Sequence, residues 1–461
     1  MRARPKYFLL VIIPILFAGC MVGKKYTAPS APPPGITYRD TLFKDTAQLM
    51  KWFDLYKDSA LTSMIRKTLD SNRDILTASS RIDEARLQTA VIKANLWPKL
   101  DYSGLAGGGS AGIDAQKAAA VFQGGVLNAF AVLNWELDVW GKTRHLTASA
   151  MAKYFSEVQN RNALIVSLVA EVASDYFLLR DLDNRLEIAR QTLESRKINT
   201  NIITERFNKG WVPELDKLQA IQQETIAAAT IPSLQRQIVQ TENAIRLLMG
   251  MGPGPVSRGY SNFDQSLSPD IPVGLPSQLL ERRPDIMSAE KSMQSQFEQI
   301  GFAQANRFPT ISLTGLLGFA SPQLSTFISS SGFVANGFGS ITGPIFHFNQ
   351  LKNQVEVQKR QFDQAYFQYQ KTVLAAFGDV DNALTFYKTF SEEFEQLKIQ
   401  TDAATKALKL SEARYEYGYT SYLEVIVMQN NLFDAQLSES QALQGKLNSI
   451  VLLYKALGGG W

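Results

Sequence analysis

Ala94-Asn95-Leu96-Trp97-Pro98-Lys99-Leu100-Asp101-Tyr102-Ser103-Gly104-Leu105 is written a second time as Ala305-Asn306-Arg307-Phe308-Pro309-Thr310-Ile311-Ser312-Leu313-Thr314-Gly315-Leu316. Five of the twelve pairs are identical, and both copies carry an aromatic–proline pair at an offset of 211, which Asp74-Ile75 and Asp285-Ile286 keep. Further on, Arg206-Phe207-Asn208-Lys209-Gly210 pairs with Arg414-Tyr415-Glu416-Tyr417-Gly418 at an offset of 208, as does Gly250 with Gly458. An offset held over so much chain marks an internal repeat. Its three-residue change falls between Leu105 and Arg206, most simply in the glycine-rich stretch from Gly107 to Gly125, where a loop tip tolerates it. The expected layout is residues 1–19 as a signal peptide, 20–41 as a tether, 42–250 as the first repeat, 251–275 as a proline-rich connector and 276–461 as the second repeat.

Within each copy the hydrophobic period changes. Leu127, Ala129, Ala131, Leu133, Trp135, Leu137 and Val139 are apolar at every second position, with Asn128, Asn134, Glu136 and Asp138 among the alternates. Ile311, Leu313, Leu317 and Phe319 alternate with Ser312, Thr314 and Gly318 in the same way. The pattern predicts strands at about 99–109, 126–139, 310–320 and 334–347, each near the length that crosses a bilayer at a tilt. Four strands cannot close a barrel, and lipid does not accept open sheet edges, so several chains must share one. Trp97, Trp135, Trp140, Phe308 and Phe348 fall near strand ends, where an interfacial aromatic girdle belongs. From Lys142 to Val212 there is no proline and, apart from Gly210, no glycine. Leu164, Leu168, Val172, Tyr176, Leu179, Leu182, Leu186, Ala189 and Leu193 recur there in steps of three or four, which predicts a long helix burying a narrow seam.

Composition removes whole classes of function. The 461 residues include one cysteine and two histidines, so no internal disulfide and no His/Cys zinc site can be assembled. The formal charge is +4, but Arg2, Arg4 and Lys6 precede residue 20 and leave +1 when that stretch is removed. A nucleic-acid-binding surface has no support. The opening reads as a basic stub followed by the apolar run Tyr7 to Gly19, too short for a permanent span and suited to a secretory signal. The single cysteine, Cys20, follows the small residues Ala18-Gly19 as in a bacterial lipobox, with Phe17 where leucine is usual. It is the expected site of a covalent lipid, and Met21 after it is compatible with sorting to the outer membrane. Pro29, Pro32, Pro33 and Pro34 then make an extended tether.

Cys20-Met21-Val22-Gly23-Lys24-Lys25-Tyr26-Thr27-Ala28-Pro29, Trp135-Glu136-Leu137-Asp138-Val139-Trp140-Gly141-Lys142 and the ending Leu453-Tyr454-Lys455-Ala456-Leu457-Gly458-Gly459-Gly460-Trp461 together resemble the TolC-type outer-membrane factors, in particular their lipid-anchored efflux branch. The resemblance implies a mixed α and β membrane protein. Three chains with four strands each would make one outer-membrane β-barrel, continuous with a long periplasmic α-helical barrel. It also implies an exit duct for small molecules in a tripartite efflux system. The partners are then two further copies, a periplasmic adaptor, an inner-membrane transporter and outer-membrane lipid, with no enzymatic activity, no metal and no cofactor beyond the lipid on Cys20. Adaptor docking falls on the helix-to-helix turns, here Arg206, Gly210 and Asp216 in the first copy and Arg414 and Gly418 in the second. The family narrows its pore with an apolar residue past the second turn and an aspartate one helical turn later. Leu423 fits the first position, but Val427 occupies the second, and Glu424 stands about 100° around the helix from Leu423. An apolar constriction at Leu423 and Val427 is therefore expected in place of an acidic ring. The competing reading is a lipid-anchored periplasmic coiled-coil scaffold without a pore.

Other motifs lack their context. Gly107, Gly109 and Gly112 fit G-x-G-x-x-G but follow a barrel-like strand and lead into an alanine-rich loop. Gly141-Lys142-Thr143 ends like a phosphate loop, yet Glu136 stands where the first glycine is needed. His145 and His347 have no nucleophile or ligand pattern nearby. Glu392-Glu393 reads as a solvated helix face.

Overall fold

The computed structural model describes residues 21–28, 55–107, 126–265, 282–321 and 324–459. The elements follow one order twice. In the first half they are α1 (Ser59–Ser71), α2 (Arg73–Ala94), β1 (Lys99–Gly107), β2 (Val126–Leu137), α3 (Lys142–Asn208) and α4 (Glu214–Leu248). In the second they are α5 (Pro284–Ala305), β3 (Thr310–Ser321), β4 (Phe333–Thr342), α6 (Gln350–Glu416) and α7 (Tyr422–Ala456). The long helices match residue for residue, α3 with α6 at 67 and α4 with α7 at 35. At 1.5 Å per residue the longer pair reaches roughly 100 Å each. The chain forms two compact units, and each draws on both halves of the sequence.

The first unit contains residues 21–28, Ser80–Val158 and Ser288–Gln370. Its four strands are antiparallel in the order β1-β2-β3-β4, so the central pair, β2 with β3, joins the two repeats. The register sets Tyr102 beside Ala131 and Leu317, and Leu100 beside Leu133 and Gly315. Because side chains alternate, one face collects Leu100, Tyr102, Leu133, Trp135, Leu313, Leu317, Phe333 and Ile341. Tyr102 is 95% exposed on it and Ile341 73%, a large apolar surface left uncovered among the described residues. The other face carries Asp101, Asn134, Glu136, Ser312, Thr314 and Ser340, interrupted at mid-strand by Phe130, Val132 and Leu316. The apolar face follows the expected alternation, while Val334 and Phe338 of β4 add to the apolar positions on the other face.

Two strands stop earlier than the period suggests. β2 ends at Leu137 because Asp138 leaves the ladder: its carboxylate accepts the Thr143 and Arg144 N–H groups at 2.9 and 3.0 Å and caps α3. β4 ends at Thr342, before Gly343-Pro344, where proline removes the next ladder donor. Residues 108 and 109 of the expected first strand lie outside the described residues. Trp97 precedes β1, Trp135 and Trp140 sit at the end of β2, Phe308 precedes β3 and Phe348 follows β4. Antiparallel order brings all five to one end of the sheet. There Trp140 stacks on Phe308 at 4.9 Å and donates to the Pro309 carbonyl at 2.7 Å, while Trp135 donates to the Leu96 carbonyl at 3.0 Å.

The second unit lies within residues 55–79, Gln159–Met287 and Lys371–Trp461. The predicted seam of α3 is buried at Leu168, Val172, Tyr176, Leu179, Leu182, Leu186 and Ala189, but Leu164 and Leu193 are only half-buried. The stripe is also wider than expected, since Val166, Val169, Ala173 and Phe177 are buried as well. A second layer accounts for the width: Tyr56 meets Phe177 and Tyr454 edge-on or tilted at 6.3 and 6.5 Å. Each fully buried large side chain contributes about 1.5–3 kcal/mol. α3 is long and apolar enough in one window to cross a membrane, but more than half of that window is buried inside the protein, as in a core helix. Asp58 ties this core to the segment after α4. It accepts from Ala60 N and Leu61 N as the cap of α1, and from Tyr176 Oη, Tyr260 N and Gln265 Nε2. Burial opposes its charge, but these donors outweigh it and hold the carboxyl below its ordinary pKa.

Candidate pore and docking surfaces

The two turns between long helices, α3–α4 and α6–α7, lie together in the second unit. Each first helix ends in the same way. Gly210 donates to the Phe207 carbonyl and Trp211 to the Arg206 carbonyl, at 2.8 and 2.9 Å; Gly418 and Tyr419 repeat this on Tyr415 and Arg414 at 3.0 and 2.8 Å. Both glycines have positive φ, +74° and +78°, and a Cβ on either would meet nothing within 4 Å. Backbone conformation alone accounts for glycine there, in the Schellman pattern of hydrogen bonds.

Beneath the turns Ile203, Ala220, Tyr422, Val425 and Ile426 form one buried cluster, with Val212, Leu408 and Tyr415 against it. Arg206 stacks over the Tyr415 ring at 5.5 Å, and Tyr415 meets Tyr422 at 5.4 Å. The two sets of sequence-predicted docking residues are thereby brought together. Asp216 sits half-buried in the first turn of α4, where burial pushes its carboxyl pKa up. Arg414 pairs with Glu424 at 3.3 Å, and Thr420 donates to the other oxygen of Glu424. That carboxylate is therefore held by neighbours within the chain. Leu423 and Val427, one helical turn apart on α7, are 55% and 42% exposed and share a face left uncovered by the described residues.

Sequence reasoning missed two features of this region. Arg196 is 3% exposed, donates to the Gln223 carbonyl on α4 at 2.8 Å and to Asn430 Oδ1 on α7 at 2.9 Å, and lies over Phe433 at 5.4 Å. Burial lowers its pKa. The signal was present: extending the seam from Ala189 and Leu193 in helical steps reaches Arg196, Thr200 and Ile203. Exposed aromatics also flank the glycines, with Trp211 at 70% and Tyr417 and Tyr419 at 76% each.

Among the described residues no group of three or more His, Cys, Asp or Glu side chains is arranged to hold a metal ion. The Gly141-Lys142-Thr143 turn offers no phosphate cradle, since Asp138 occupies the helix N–H groups and Lys142 pairs with Glu136 at 2.9 Å. His347 is exposed, and His145 is buried beside Glu298. Glu392 and Glu393 are exposed on α6. Cys20, Gly109 and Gly112 lie outside the described residues, and Gly107 ends β1.

A sheet with one lipid-like and one mostly polar face, together with paired 67-residue helices, agrees with what known proteins show. The family model described as outer membrane efflux protein matches residues 64–251 and 275–459. The chain is 32% identical over 98% of its length to the antibiotic efflux pump outer membrane protein ArpC of Pseudomonas putida, covering 95% of that protein. It is 28% identical to the probable outer membrane lipoprotein SilC of Salmonella typhimurium, with 97% of each chain covered. Among solved structures, the outer-membrane channel OprN superposes with a TM-score of 0.87 at 26% identity, over 96% of this chain and all of that one. The strands are thus the chain's share of an outer-membrane β-barrel, and the long helices belong to the periplasmic part of an efflux channel. By sequence and by architecture, the chain belongs to the outer membrane efflux protein family.

Proposed function

We propose that three copies of this chain join edge to edge into a twelve-stranded barrel, and that the resulting duct conducts small molecules handed over by an inner-membrane transporter through a periplasmic adaptor. The observation that carries the assembly is the four-stranded sheet: among the described residues β1 and β4 each pair on one side only, while one face is broadly apolar. Lipid tolerates such edges only when a neighbouring copy pairs with them. No chemistry is assigned to the chain; it selects little and transmits what the pump delivers. A covalent lipid on Cys20 fits the lipobox-like start and the lipoprotein name of the SilC relative. The repeat boundaries, 42–250 and 276–461, are supported by the two stretches the family model matches.

The turns carry the regulated end of the duct. We assign adaptor docking to Arg206, Gly210, Asp216, Arg414 and Gly418, with Trp211, Tyr417 and Tyr419 as exposed apolar contacts. The constriction is assigned to Leu423 and Val427. Glu424, already bound to Arg414, acts as a latch between α6 and α7 and not as a free acidic ring. A heat-modifiable, SDS-resistant trimer in the outer-membrane fraction is the expected state; release of a monomer once the lipid is removed would favour a pore-less scaffold. In planar bilayers Leu423→Ser should raise conductance and Val427→Asp should shift selectivity towards cations. Unchanged conductance and selectivity in both variants would remove these residues from the gate.

A further inference from the structure

The N-terminal segment Met21–Ala28 is held against the first unit at three points. Val22 N donates to the Trp140 carbonyl at 3.2 Å, and Met21 packs on Gly141. Tyr26 Oη donates to Glu290 at 2.7 Å while its ring meets Phe297 edge-on at 5.5 Å. Between these lies His145, 2% exposed, with Nδ1 2.6 Å from Glu298 Oε2 and Nε2 2.9 Å from the Val22 carbonyl oxygen. α5 makes room for the ring with Gly301, where any Cβ would stand 2.3 Å from the imidazole.

Both partners of the imidazole are acceptors. A neutral ring has one N–H and can satisfy one of them; two hydrogen bonds require the His145–Glu298 pair to hold one proton more than a neutral imidazole and a carboxylate. We propose that His145 and Glu298 form a proton-loaded clasp that fastens Met21–Ala28 to the protein and releases Val22 when that proton is lost. After the loss, the remaining N–H stays with the carboxylate, the stronger acceptor, and the bare Nε2 lone pair faces the lone pairs of the Val22 carbonyl.

The charged groups around the ring come from each packed element: Glu298 on α5, Asp138 at the end of β2, and Lys24 and Lys359, which line the same cavity from the segment and from α6. Burial by itself pushes the imidazolium pKa down. The hydrogen bond to Glu298, with the Val22 carbonyl and the charges of Glu298 and Asp138, outweighs burial and raises it above the ordinary histidine value. A raised folded-state pKa means the clasp is at full strength below about pH 6.5 and weakens as pH rises through the folded value. Cys20 stands two residues before Val22, within about 7 Å along an extended chain, so the clasp sets how far the chain can pay out at that cysteine whether or not it is acylated.

With only two histidines in the chain, imidazole-labelled full-length protein extracted in its native oligomer gives two NMR lines, and the line lost in His145→Gln belongs to His145. His145 should titrate at higher pH in the folded oligomer than in the denaturant-unfolded chain. Across its transition, hydrogen-exchange protection of residues 21–28 should fall about tenfold, the scale of one charge-assisted hydrogen bond, while that of β2 stays constant. Glu298→Gln should bring the His145 transition below its position in the unfolded chain and carry the protection change with it; His145→Gln should leave protection low at every pH. A His145 that titrates no higher in the folded oligomer than in the unfolded chain, or protection of 21–28 indifferent to its titration, overturns the proposal.

Discussion

The α3–α4 and α6–α7 turns close their first helices with the same pair of backbone hydrogen bonds around a glycine, at φ +74° and +78°, yet present different side chains to solvent. The first exposes Trp211, Leu215 and Leu218; the second exposes Tyr417, Tyr419, Leu423 and Val427 and adds the Arg414–Glu424 pair. The duplicated part is therefore the cap, which fixes where each helix stops. What diverges is the surface the cap presents: docking is assigned to both turns, the constriction to the second alone.

The comparison breaks hardest at Arg196, the buried cation that reaches α4 with one nitrogen and α7 with another. Arg196→Met should cost about 2 kcal/mol by removing a second donor from the Gln223 carbonyl and the guanidinium donor from Asn430 Oδ1, and loosen both turns together. Chemical or thermal unfolding would show it, and a loss under 1 kcal/mol would mean the turns are supported independently. Next come Gly210→Ala and Gly418→Ala. Neither site crowds a Cβ, so each should lose about 1 kcal/mol from the left-handed backbone alone, and equally. A clear inequality in melting would show that the caps are not equivalent. The smallest stability effect belongs to Arg414→Gln: the pair is 49% and 34% exposed, which limits it to well under 1 kcal/mol after solvent screening. Its expected signature is functional, a higher open-channel fraction in bilayers with melting nearly unchanged, and Lys217→Gln on α4, whose ammonium lies over the Phe207 ring at 4.9 Å, should lack it.

Much of this was legible along the chain because the signals were local or periodic. The offset of 208 located both capping glycines, and period-two alternation found the strands. The strand ends were not legible, since Asp138 continues the alternation on paper while its carboxylate is recruited to cap α3. Val139, apolar and in phase, is likewise outside the ladder. The width of the α3 seam depended on Tyr56 and its neighbours, whose approach no period in α3 records. Arg196 was concealed by its type: it occupies a seam position that hydrophobic counting passes over. His145 and Glu298 are separated by 153 residues, and neither has a neighbouring motif to announce the other.

The seam between β2 and β3 also bears on how the chain is made. It pairs Leu127 with Ser321 and Leu137 with Ile311, partners far apart in sequence, while β1–β2 is a local hairpin. During export the first repeat emerges with its hairpin formed at best and β2 unsatisfied along one side, until β3 begins at Thr310, with 172 residues lying between it and the end of β2 at Leu137. Closing so long a loop is slow. The apolar strand face therefore stays uncovered during that interval, and a chain cut after residue 250 should aggregate more readily than the full-length one.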